Sequence, residues 1–396
     1  MGFGIAYVSA QAGIEVVLID ATQEKAQAGK DGAAKILDKL IERGKSSPDK
    51  KGEILSRIHP TTDYAALKNA DLVIEAVFED RGVKAEVTKK AEAALGAKAI
   101  YGSNTSTLPI TGLAEASERP ENFVGIHFFS PVDRMGLVEI IMGKKTGQRA
   151  LAVAIDYVAK IKKTPIVVND ARGFYTSRCF GTYTREGMAM LADGIHPAMI
   201  ENVGRMAGMP MGTLEVLDSV GLDTPLKVMR QTKKDLGINS PPDASETFLS
   251  DIVEKQGRLG RKNGKGFYDY DDKGKRLRIW PQMISGRAWN TDANVEEMKQ
   301  RFLSLQALEA AKCFEEGVIT DPRDADVGAI LGWGFAPFTG GPISYIDSIG
   351  TKKFVERLDA FAAEYGDRFK ANTLLRDMAA KNESFYTRFA PAKQAA

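Results

Sequence analysis

The passage that most limits what this chain can fold into is its first twenty residues. It opens Met1-Gly2-Phe3-Gly4-Ile5-Ala6 and soon reaches Val16-Val17-Leu18-Ile19-Asp20. Ile5, Val8 and Ala12 fall at helical spacing, Gly13 marks a helix end, and Val16 to Ile19 form an apolar run of buried-strand type. A glycine turn, a helix, a strand and a terminal acid are the later parts of a βαβ unit that holds a dinucleotide. Asp20 would accept hydrogen bonds from ribose hydroxyls and repel a 2'-phosphate, which favours NAD over NADP. The bland alternative is an ordinary helix-strand turn with a polar end. On the dinucleotide reading, the opening strand and the first two glycines of G-x-G-x-x-G are missing. Losing that central strand is expected to leave an open sheet edge with unpaired backbone groups. The chain is therefore expected to be a fragment of a longer product, or to start at a misassigned methionine.

The remainder predicts an α/β, Rossmann-type doubly wound, mostly parallel sheet followed by a duplicated all-helical domain. Strand-like runs at 71–77, 97–102 and 164–168 alternate with helical stretches at 21–44 and 83–95, so residues 1–169 read as the nucleotide-binding domain. Beyond Ala171 alanine- and methionine-rich helical sequence takes over and repeats itself. Arg178, Glu186 and Gly194 recur 123 positions later as Arg301, Glu309 and Gly317. Gly212, Asp218 and Gly221 recur 129 positions later as Gly341, Asp347 and Gly350. The copies are expected at 170–285 and 286–396, with six extra residues in a loop of the second. Gly260 to Tyr270 reads as a glycine- and lysine-rich loop, and Asp271 to Arg278 as a charged linker.

Charge gives no overall field: 54 basic residues face 52 acidic ones, so neither nucleic acid nor an anionic membrane is an expected partner. The two cysteines, Cys179 and Cys313, form no C-x-x-C pair and suit a reducing cytoplasm. No apolar run is long enough to predict a membrane span.

Chemistry concentrates around one histidine. His59 and His196 each precede a proline and read as structural. His127 lies in Gly125-Ile126-His127-Phe128-Phe129-Ser130-Pro131, and Glu139 follows twelve residues later in an apolar run. An unpaired glutamate is costly to bury there, and an imidazole that becomes charged would supply its partner. A carboxylate-oriented histidine is a suitable proton acceptor near neutral pH. A core histidine beside an unrelated exposed glutamate is the competing reading. Ser103-Asn104-Thr105-Ser106-Thr107 follows a strand, at the sheet edge where such folds bind ligands.

Taken in order, G-F-G-I-A, V-V-L-I-D, I-E-A-V-F-E at 74–79, S-N-T-S-T, G-I-H-F-F-S-P-V, R-M-G-L-V-E-I-I at 134–141 and G-K-G-F-Y at 264–268 resemble the 3-hydroxyacyl-CoA dehydrogenases. The resemblance covers essentially the whole chain. The duplicated helical part looks like the dehydrogenase portion of bacterial multifunctional fatty-acid oxidation proteins. It implies NAD-dependent oxidation of a 3-hydroxyacyl-CoA, with His127 as base, Glu139 orienting it and Ser106 assisting the substrate oxygen. Ser177 stands where the family often has asparagine, as does Ser130. NAD contacts are implied at Met1, Gly2, Asp20, Val77, Glu79, Lys84, Ser106 and Ser130. Lys84 and the helical part are also considered for CoA, and a thiolase for a protein partner. Hydratase activity is not expected. A second reading is a non-catalytic acyl-CoA-binding or assembly module whose cut glycine loop no longer holds NAD. A third, another hydroxyacid dehydrogenase, is disfavoured because such enzymes typically use a lysine base.

Overall fold

The computed structural model describes residues 1–235, 237–242, 244–286 and 288–390, and the chain divides into two compact units. The first comprises Met1–Ser177 with Glu316–Trp333, and the second Arg178–Glu315 with Gly334–Ala396.

The first unit follows the βαβ alternation. Helix α1 (Gly2–Gln11) ends at Gly13, whose φ of +83° only glycine adopts easily, and leads into β1 (Val16–Ile19). Thr22 caps α2 (Gln23–Glu42) and Ser47 caps α3 (Pro48–Ser56), each side chain accepting from an amide of the first turn. Strand β2 (Ile58–Thr61) then pairs with β1 in parallel. Next come β3 (Leu72–Glu75), α4 (Arg81–Ala94), β4 (Ile100–Ser103), α5 (Ile110–Leu113), β5 (Phe123–Phe128), β6 (Leu137–Met142), α6 (Gln148–Lys160) and β7 (Thr164–Asn169). Strands β3 to β7 form one sheet in chain order, parallel at every step except β5 with β6.

Strands β1 and β2 form a separate sheet, and among the described residues no ladder joins β1 to β3. Val16 and Leu18 of β1 nevertheless pack on the same hydrophobic core as Leu72 and Ile74 of β3. Strands inside a parallel sheet are normally covered on both faces, as β4 and β5 are, yet all four residues of β1 are only half-buried. In the doubly wound order the strand preceding the glycine turn lies between these two positions. Among the described residues the two sheets therefore part at the position where that order places a strand.

The second part of the chain contains α7 (Thr176–Ala192), α8 (Pro197–Met206), α9 (Thr213–Val220), α10 (Asp223–Asp235) and α11 (Ala244–Ser250). A hairpin of β8 (Tyr268–Tyr270) and β9 (Arg276–Ile279) follows, then α12 (Pro281–Ile284). The domain is thus not all-helical, and the predicted charged linker at 271–278 is largely this hairpin's turn and return strand. Its charged residues sit on a largely exposed two-stranded ribbon, which a linker resembles in composition. The series closes with α13 (Val295–Glu315), α14 (Pro322–Trp333), α15 (Pro342–Ile349), α16 (Thr351–Tyr365), α17 (Thr373–Lys381) and α18 (Phe385–Arg388). Helix α14 belongs to the first unit. Side chains at Gly328 and Gly332 would come within 2.7 Å of Ile166 and 2.8 Å of Leu137, so these glycines let it lie directly on β6 and β7.

The residues that recur in sequence occupy corresponding places in two helices. Helices α9 and α15 have eight residues each, begin after Gly212 and Gly341, and end at Gly221 and Gly350, with φ of +93° and +88°. Asp218 accepts from the amides of Phe267 and Tyr268 at 2.8 and 2.9 Å, and Asp347 from those of Phe385 and Tyr386 at 2.9 and 3.1 Å. Arg178 pairs with Glu309 at 2.8 Å, and Arg301 with Glu186 at 2.5 Å. The arginine of each recurring set thus pairs with the glutamate of the other set.

Candidate active site

His127 on β5 and Glu139 on β6 are direct partners across the sheet's antiparallel step. Opposed residues on such a pair share a face, so a spacing of twelve in sequence becomes contact in space. His127 Nδ1 lies 2.9 Å from Glu139 Oε2, and the residues are 5 % and 0 % exposed. Engagement of Nδ1 leaves Nε2 to exchange a proton. Phe129 and Phe174 stand beside the imidazole, with ring centres 4.6 and 6.1 Å away.

A carboxylate this deeply buried needs more than one partner. Glu139 Oε1 accepts from the amides of Tyr175 and Thr176 at 3.0 and 3.1 Å, and Oε2 accepts from Thr176 Oγ1 at 2.6 Å. These donors are aimed by the preceding backbone, where Gly173 and Phe174 have φ of +72° and +50°. Phenylalanine seldom adopts that conformation, and here the packed surroundings of the site hold it there. Sequence reasoning missed Tyr175 and Thr176. The available signal was Glu139 itself, whose burial implies more donors than one histidine supplies.

The serine-rich loop is fixed by Glu79. Its Oε1 accepts from Thr105 Oγ1 at 2.7 Å, the amides of Ser106 and Thr107 at 3.0 Å, and Thr107 Oγ1 at 3.2 Å. Burial works to raise the carboxyl's pKa, but the Thr105 hydroxyl, the Lys84 charge and the two amides together hold it below the usual range. Asn104, also missed, accepts from the Phe128 amide at 2.8 Å and so ties this loop to the strand of His127. Ser177 Oγ donates to the Ser106 carbonyl at 3.2 Å, which brings two expected site residues together.

Lys84 differs from the expectation. It is 2 % exposed, and its ammonium lies 2.9 Å from Glu75 and 3.6 Å from Glu79. Glu75 also accepts from the Ser103 hydroxyl and, at 3.2 Å, from the Val77 amide. The charge of Lys84 is thus neutralised internally: it braces Glu79 and the loop at Val77, and offers no free cation to the phosphates of CoA. Asp20 is exposed at the end of β1, and Ser130 is exposed two residues beyond β5. Met1 is the N-cap of α1, and a side chain at Gly2 would meet nothing within 4 Å, so the approach to the helix start is open. A helix N-terminus whose amides can donate to a pyrophosphate and a carboxylate that can accept from ribose hydroxyls are groups that fit NAD. His59 pairs with exposed Glu15, and His196 Nδ1 accepts from the Ala198 amide to cap α8.

Comparison with known proteins places the chain among relatives. Residues 1–171 match the 3-hydroxyacyl-CoA dehydrogenase NAD binding domain, and residues 173–270 match the C-terminal domain of the same enzymes. A fatty acid oxidation complex subunit alpha of Shewanella amazonensis is 38% identical over 391 residues, covering 98% of this chain and 55% of that protein. The chain spans about half the length of the curated relatives it matches. The crystal structure of (S)-3-hydroxybutyryl-CoA dehydrogenase from Ralstonia eutropha is 34% identical with a TM-score of 0.64, covering 69% of this chain and 96% of that one. A 3-hydroxybutyryl-CoA dehydrogenase of Escherichia coli K12 shares the fold over 96% of both chains, with a TM-score of 0.82 at 24% identity.

Proposed function

The chain belongs to the 3-hydroxyacyl-CoA dehydrogenase family, and from that premise we propose that it oxidises a 3-hydroxyacyl-CoA to the 3-ketoacyl-CoA in fatty-acid β-oxidation. The observation that carries this reading is the buried His127–Glu139 pair with Thr176 behind it. His127 Nε2 accepts the proton of the substrate's 3-hydroxyl as the C3 hydride departs. NAD, when bound, supplies the hydride acceptor. Glu139 offsets the charge that builds on the imidazole, an interaction strengthened by the exclusion of water. Ser106 and Ser177 bind the substrate oxygen and its neighbourhood. Met1, Gly2, Asp20, Val77, Glu79 and Ser130 line the cofactor, with Lys84 bracing Glu79.

We read the helical half as copies at 170–285 and 286–396, and place the protein in the cytoplasm with a thiolase as partner. The relatives' naming as subunits of a fatty acid oxidation complex supports the pairing. Among the described residues, no helix is long and apolar enough to cross a membrane. The break between β1 and β3 favours the second reading, an acyl-CoA-binding module that does not hold NAD. Fluorescence titration with NADH decides between them: saturable binding, with acetoacetyl-CoA-dependent NADH oxidation slowed about 10²- to 10⁴-fold in His127→Ala, is the expected outcome. Absence of saturable binding would overturn the dehydrogenase reading.

A further inference from the structure

Segment 130–136 leaves the strand that carries His127 and begins with the exposed Ser130. It is a tight turn, with the Pro131 carbonyl accepting from the amides of Arg134 and Met135 at 3.0 and 3.1 Å. Beneath it lies Lys163, the last residue before β7. Its ammonium donates to the carbonyls of Val132 at 2.6 Å and Met135 at 2.5 Å, and the neighbouring Thr164 amide donates to the Gly136 carbonyl at 2.8 Å. Lys163 is half-buried, and burial lowers its pKa against the opposing influence of Asp133. A lysine spent on two backbone carbonyls of one loop fixes the path of that loop.

The loop, in turn, touches the cofactor end of the unit. Val132 is buried in the core that includes Ile5, Ala6 and Val8 of α1. A Cβ at Gly4 would come within 2.8 Å of the Val132 Cβ, so the first turn of α1 rests directly on this side chain. His127 is held by separate contacts, because Glu139 is anchored by Tyr175 and Thr176 and not by the loop.

We propose that Lys163 is a positioning residue for cofactor capture, holding segment 130–136 so that Val132 sets the first turn of α1 against the strand that carries His127. This rests on the dehydrogenase reading. Losing a charged hydrogen-bond donor to two carbonyls predicts that Lys163→Met raises the KM for NADH about tenfold. The kcat and the KM for acetoacetyl-CoA are expected to stay within about twofold, since the proton-transfer pair is anchored elsewhere. Lys163→Arg, whose guanidinium can also reach two carbonyls, is expected to recover most of the loss. An unchanged KM for NADH, or a joint decline of kcat and both KM values, would overturn the proposal. Amide exchange followed by mass spectrometry is the second measurement, and it needs no turnover. Lys163→Met should speed exchange both in 131–136 and in the first turns of α1. Faster exchange confined to 131–136 would overturn the coupling even if the chain proves not to bind NADH, the outcome that defeats the dehydrogenase reading instead.

Discussion

At the scale of single residues, the site depends on how a buried carboxylate is satisfied. Glu139 receives His127 on one side and three hydrogen bonds from Tyr175 and Thr176 on the other. Replacing His127 by alanine removes the proton acceptor and is expected to lower kcat about 10²- to 10⁴-fold, measured as acetoacetyl-CoA reduction at saturating NADH. Thr176→Val keeps the shape and both backbone donors but deletes the 2.6 Å hydroxyl contact. Its expected effect is smaller, about tenfold on kcat with the fold retained, which circular dichroism checks. The histidine and the glutamate are legible in sequence because an acid in an apolar strand demands a partner. Thr176 is not, because its approach depends on left-handed backbone at Gly173 and Phe174.

At the scale of elements, the repeated spacing of Arg178, Glu186, Arg301 and Glu309 is legible in sequence, whereas their exchange of partners is not. Arg301 is 2 % exposed, takes Glu186 as its ion-pair partner and stacks on Tyr365 at 3.8 Å. Glu186→Gln leaves that cation buried without its main counter-charge and is expected to cost about 3–5 kcal/mol in denaturant unfolding. Glu309→Gln should cost less, because Arg178 keeps more contact with water. Asp218 adds a pH dependence. Burial pushes its carboxyl up to about 6 from 3.8, outweighing the hydrogen bonds from Tyr268, Phe267 and Tyr270. Between those values the folded chain keeps a proton that the unfolded chain has released, so this group's contribution to stability grows as pH falls through 6. Relative to Asp218→Asn, the parent chain should therefore gain about 1 kcal/mol on going from pH 7 to pH 5, read as a shift in the difference of unfolding free energies.

At the scale of the whole molecule, the first unit carries two unpaired strand edges facing a common core, on β1 and β3. Open edges with apolar side chains invite pairing with other chains. Joining a strand-forming apolar segment and a G-x-G turn ahead of Met1 should therefore raise the unfolding midpoint and reduce association in sedimentation, while tightening NADH binding. An extension that changes none of these would show that the gap between β1 and β3 is not a strand site.

The sequence alone determined the alternation of the first 169 residues, the recurring residue spacing after them, and the demand of Glu139 for a buried partner. Those features depend on local periodicity and on spacing within one stretch of chain. Tertiary structure alone decided three others: the antiparallel step that sets Glu139 opposite His127, the burial of Lys84 between Glu75 and Glu79, and the exchange of partners among Arg178, Glu186, Arg301 and Glu309. Each is a pairing between side chains that separate elements or turns of the fold bring together. Its energy arises only when both partners leave water together, so no local pattern of residues records it.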